Sequence, residues 1–188
     1  MKIKILFLLA SFVFVTSALR SQTEGQIMNP NPGQELKHAV DVSPLSPFID
    51  IYGVHYIYRF SPKDELITGL SYMNIHYDFG YTNSPALIIG YRRYLWKNLH
   101  VEYELWPCYD EFYESYEQKY YQSFDLWNEF RIGYRFDFKV AERSFYLNLQ
   151  WPFGFGLYAG NKPEKFMDQQ EKERFFYFPP LFFVGMRF

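Results

Sequence analysis

The chain has 188 residues, the length of one domain, and a formal net charge of −2; with no basic excess, nucleic acid is excluded as a partner class. Aromatic residues make up 23% of it, 18 Tyr and 21 Phe among them, yet the mean hydropathy is −0.28. Rings and charges in such numbers suit a protein with lipid on one side and water on the other, or a soluble all-β domain with a large aromatic core.

Lys2 and Lys4 open the chain, Ile5 to Val15 is apolar, and Thr16-Ser17-Ala18 supplies small residues for cleavage. This pattern predicts a secretory signal peptide over residues 1–21. The apolar run is too short to cross a bilayer as a helix, and no cysteine follows it to carry a lipid anchor. Residues 22–35 are polar and rich in Pro, Asn and Gly, and read as a flexible periplasmic lead-in. Residues 36–188 are left for the fold.

From there the chain shows period-two alternation, the signature of strands, and no helical periodicity of useful length. The expected strands run over 36–45, 48–60, 65–78, 86–96, 99–107, 124–138, 145–155 and 175–188. In the fourth, Leu87, Ile89, Tyr91 and Leu95 are expected outward, Gly90 and Arg92 inward, and Arg93 at a membrane edge. In the fifth, Leu99, Val101, Tyr103 and Leu105 alternate with His100, Glu102, Glu104 and Trp106. In the sixth, Phe124, Leu126, Phe130, Ile132, Tyr134, Phe136 and Phe138 share a face that only Asn128 breaches. The other face carries Asp125, Trp127, Glu129, Arg131, Gly133, Arg135 and Asp137. The seventh repeats the pattern, with Phe145, Leu147, Leu149, Trp151, Phe153 and Phe155 on one side.

Connections alternate between short (61–64, 97–98, 139–142) and longer (78–84, 109–122, 157–174). Short turns at one end and long loops at the other are what bacterial outer-membrane barrels show. The longer segment 109–122 is acidic and Tyr-rich; it reads either as a surface for a partner or sugar, or as the upper end of a long hairpin. Strict up-and-down order with both termini in the periplasm requires an even number of strands. The segment 36–45, turning at the Pro-containing bend 43–47, supplies the eighth.

Size decides which face points inward. The interior of an eight-stranded barrel is only just filled by side chains. Faces carrying Phe, Trp, Tyr and Leu at nearly every position would overfill it. In lipid, each outward arginine near the midplane would cost roughly 2–4 kcal/mol, against a typical domain stability of about 5–15 kcal/mol. The expectation is therefore an all-β, eight-stranded antiparallel up-and-down transmembrane barrel. Its lumen would hold a structural ion-pair network of Arg92, Glu102, Glu104, Asp125, Glu129, Arg131 and Arg135. At the chain end, Phe182, Val184, Met186 and Phe188 alternate with Phe183, Gly185 and Arg187. A final strand closing on an aromatic resembles the C-terminal signal that outer-membrane barrels present to their assembly machinery.

The signal peptide, the hairpin GYRRYLW-KN-LHVEYELW and the terminal FFVGMRF together resemble the small outer-membrane β-barrel proteins of the OmpA-like transmembrane-domain type, as in Bacteroidetes-type bacteria. The resemblance spans nearly the whole mature chain. It implies residence in the cell outer membrane, with lipid, lipopolysaccharide and the assembly machinery as partners, and it leaves any extracellular ligand open. A structural or surface-interaction role is expected, with no enzymatic activity, no cofactor and no metal. The histidines His38, His55, His76 and His100 lie far apart, without metal-ligand spacing. The lone Cys108 reads as a small strand residue. Two alternatives are a lipid-modifying enzyme of the outer membrane and a soluble, lipocalin-like binding barrel in the periplasm. For the enzyme, His76 and His100 lack a serine partner on the same strand.

Overall fold

A computed structural model describes residues 36–172, 175–177 and 179–188 of the chain. The expected signal peptide and most of the lead-in lie outside the described residues.

The described residues form ten strands: β1 (His38–Val42), β2 (Ile51–Ser61), β3 (Asp64–Met73), β4 (His76–Tyr77), β5 (Gly80–Trp96), β6 (Leu99–Glu114), β7 (Lys119–Val140), β8 (Arg143–Ala159), β9 (Phe175–Tyr177) and β10 (Leu181–Arg187). Each pairs antiparallel with its neighbour, in the order β1-β2-β3-β5-β6-β7-β8-β10. Pairing of β10 with both β8 and β1 closes these eight strands into a ring. The seam is completed at the chain end. Phe188 N–H donates to the His38 carbonyl (2.9 Å) and His38 N–H donates to the Phe188 carbonyl (3.2 Å). The short β4 and β9 are additions to β5 and β8.

Alternation sets the facing of every strand. Val101, Phe130, Ile132, Phe136, Leu149, Trp151 and Phe153 stand exposed on the outside, while Glu102, Glu104, Arg131 and Arg135 are buried within. In β5, Leu87, Ile89, Tyr91 and Leu95 point out, and Arg92 is buried. Arg93 is largely exposed and reaches Asp64 at 3.3 Å. Asn128, which pairs with Leu105, is buried and belongs to the lining of the cavity inside the ring. Its amide donates to the Phe155 carbonyl at 2.6 Å, which partly satisfies it.

Several expectations need correction. Of the two readings of 109–122, the upper end of a long hairpin is the one observed: β6 and β7 pair up to Glu114 and Lys119 and leave four residues at the tip, so the connection itself is short. The outer end of the β6–β7 hairpin thus rises as a wall far above β1 and β10. The connection around 78–84 is also tight, with β4 and β5 pairing as His76 with Tyr81 and Tyr77 with Gly80. Gly80 is required there, since a Cβ would come within 2.0 Å of the Tyr113 carbonyl. Phe48 lies in a 3-10 turn (Ser46–Ile49) and not in β2. The last strand is broken between β9 and β10, where Pro179 and Pro180 have no N–H to offer β8.

A helix is present where none was expected, α1 (Glu164–Lys172). Its residues are good helix formers, with Glu164 in the first turn and Lys172 in the last to complement the dipole. Only Phe166 is buried, so the apolar stripe is one residue wide. Such a stripe has no readable period.

Candidate functional site

The lumen is built in three levels. At the end with the short turns, Glu65 of β3 is buried and receives four guanidiniums. Arg59 reaches it at 2.6 Å, Arg187 at 2.8 Å, Arg92 at 3.0 Å and Arg135 at 3.1 Å. The Tyr94 hydroxyl donates to the same carboxylate at 3.1 Å. Strands β2, β3, β5, β7 and β10 are thereby tied to one point. The facing comes from alternation, and Arg59 and Glu65 are direct cross-strand partners.

At mid-height one arginine serves three acids. Arg131 lies 2.9 Å from Glu102, 2.9 Å from Glu104 and 2.7 Å from Glu129. Arg92 joins this level to the lower one, since it also bonds to Glu102. Gly90 makes room for the cluster, because a Cβ there would approach Glu104 Cγ to 2.8 Å. Beside it, His55 pairs with Asp41 at 3.0 Å, and Tyr146 donates to Asp41 at 2.8 Å. Charges this deep need partners: breaking one buried pair costs roughly 3–5 kcal/mol, although an apolar replacement of the whole set can be neutral.

At the end with the longer connections the lumen opens into a cavity of about 220 Å³. Trp106, Trp127 and Tyr77 line its walls, Glu129 belongs to its lining, and α1 contributes Phe166, Gln169 and Gln170. Phe166 packs edge-on against Phe112 (5.2 Å) and Tyr77 (5.7 Å). Lys162, just before α1, has its side chain buried between Asp110 and Asp125, 2.9 Å from the latter. Thr82 and Ser84 also donate to Asp110, and Ser123 (2.9 Å) and the Gly160 amide (3.2 Å) donate to Asp125.

Of the seven charged residues singled out from sequence, five meet in one cluster: Arg92, Glu102, Glu104, Glu129 and Arg131. Arg135 does not join Glu102 or Glu104 through its ion pairs; it lies lower, on Glu65 and on Asp137 at 3.0 Å. Asp125 stands apart, with Lys162. Sequence reasoning missed Glu65, Arg59, Asp41, Asp110 and Lys162. Strand parity carried through 51–73 would have found the first two. Lys162 lies off the strands, where no period applies. The alternating C-terminal residues Phe182, Val184 and Met186 sit opposite Leu149, Leu147 and Phe145 of β8, while Arg187 turns inward. His76 is exposed at an outer turn beside Tyr81. His100 is buried against the Asn98 carbonyl and Gln150. Among the described residues, no group of three His, Cys, Asp or Glu side chains is arranged to hold a metal ion.

Comparison of the chain with protein-family models, with curated proteins and with solved structures finds no match.

Proposed function

We propose that this protein is an outer-membrane β-barrel, exported by its N-terminal signal peptide, whose charged lumen is closed and whose role is structural or surface-interacting. The observation that carries this reading is the outward ring of large apolar side chains. Leu70 is 60% exposed, Leu87 53%, Trp151 56% and Ile132 49%. With Val54 and Tyr56 of β2 and Val101 of β6, they put exposed apolar side chains on six consecutive strands of the ring, β2, β3, β5, β6, β7 and β8, far more than a local patch. Soluble monomers rarely expose a contiguous apolar surface above a few hundred Å². A soluble lipocalin-like barrel would turn these side chains inward. Closed pairing satisfies the backbone without water, which a bilayer demands.

The short-turn end, with both described termini, belongs in the periplasm, and the tall β6–β7 wall and α1 face the outside. In this reading the outward face meets lipid and lipopolysaccharide. Phe182, Val184, Met186 and Phe188 are the features offered to the assembly machinery. The clusters on Glu65 and Arg131 fill the interior of a barrel that has little room to spare, which supports a closed lumen. The expected planar-bilayer trace is silent, and sustained conductance steps would contradict closure.

Fractionation with gel electrophoresis of unboiled and boiled samples tests the location. The protein is expected in the outer-membrane pellet, with mobility that changes on heating. Recovery in the soluble periplasm would overturn the reading.

A further inference from the structure

The charges of the lumen are unevenly distributed along its axis. At the inner end, four guanidiniums converge on Glu65. At the outer end, Asp110, Asp125 and Glu129 all line the cavity. Opposing them are Lys162, shared by the two aspartates, and Arg131, which also serves Glu102 and Glu104. The lumen is therefore positive toward the short turns and negative toward α1. A negative, partly enclosed site concentrates cations. Its aromatic lining adds a second attraction, since ring faces hold cations by their quadrupole. The protein already uses this chemistry beside the cavity: the Lys162 ammonium sits 5.0 Å from the Phe166 ring centroid, next to two carboxylates.

We propose that the cavity beneath α1 binds a small organic cation, an ammonium group carried on a compact apolar body. The ammonium lies toward Glu129 and the aspartates, and the body lies against Trp106, Trp127 and Phe166. Size sets the class. A dry cavity of about 150 Å³ takes up benzene, so about 220 Å³ suits a monocyclic amine. A carboxylate of the same shape meets three like charges and is rejected. The inference goes beyond the membrane reading and does not require it, because it rests on the ring and the cavity alone.

Calorimetry on the barrel folded in detergent tests it, with 2-phenylethylammonium, 2-phenylethanol and phenylacetate as probes. A far-ultraviolet circular dichroism spectrum dominated by strand certifies the fold independently of where the protein resides. The expected result is saturable, one-to-one binding of the ammonium, at least tenfold weaker binding of the alcohol and none of phenylacetate. Glu129→Gln is expected to weaken the ammonium at least fivefold and leave the alcohol unchanged. Absence of saturable ammonium binding to the folded barrel overturns the proposal. So does equal affinity for the three probes, or an unchanged ammonium affinity in a folded Glu129→Gln variant. The comparison of probes on the unaltered protein stands even where that variant fails to fold.

Discussion

Around Glu65, four guanidiniums from β2, β5, β7 and β10 close on one carboxylate, whereas around Lys162 one ammonium lies between two carboxylates beneath a nine-residue helix. Both are buried ionic clusters in the same lumen, but they join different things. The first ties barrel strands to one another, and every strand involved belongs to the closed ring. The second ties a segment outside the ring to its inner wall. Loss of the first therefore strains the ring itself. Loss of the second releases α1 and leaves the strand pairing intact. One end of the lumen is a clamp and the other is a covered chamber.

The largest effect is expected at the clamp. Glu65→Ala leaves four guanidiniums facing one another without their shared acid, and should cost about 3–5 kcal/mol, the scale of a broken buried ion pair. Urea unfolding followed by the gel shift reads this loss, and a change below about 1 kcal/mol would break the contrast between the two ends. Lys162→Met comes next, with an expected cost of about 1.5–3 kcal/mol, the scale of hydrogen bonds to charged groups. Its effect should be local. Limited proteolysis should cut within 161–172 faster than in the unaltered chain, while the barrel keeps its heat-dependent mobility. Loss of that mobility would show that the outer cluster also holds the ring.

The smallest effect lies outside both clusters, in the β7–β8 turn. Ala141 (φ 46°) and Glu142 (φ 67°) both sit in the left-handed region. A two-residue hairpin of this kind needs positive φ at both positions and favours Asn-Gly. The double change Ala141→Asn, Glu142→Gly should stabilise by about 1 kcal/mol, since left-handed backbone costs side-chain-bearing residues roughly 1–2 kcal/mol each. The same unfolding assay measures it. A destabilised double variant would show that the native side chains contribute contacts there.

How much of this was legible in the sequence differs between the two ends for a physical reason. The ring and its facing follow from period two, because a strand must send neighbouring side chains to opposite sides. Period two alone thus places Arg92, Glu102, Glu104, Glu129 and Arg131 in one lumen. Glu65 was equally exposed to that logic, but β3 reads Glu65, Ile67, Gly69, Ser71 inward, a face too mixed to announce itself. The outer chamber was not legible. It depends on α1, held by a single buried Phe166, and on Lys162, in a connection with no repeat. The hairpin over 109–122 was one of two readings the sequence allowed, because Tyr and Glu mix there with little contrast between faces and leave the exact tip unmarked.

The account rests on the outward side of the strands meeting acyl chains. Single-tryptophan variants keeping Trp151, 56% exposed, or Trp106, 8% exposed, test this in vesicles of lipids brominated along the chain. The account predicts strong quenching of Trp151 and little of Trp106; quenching of Trp106 alone, or of neither, would contradict it.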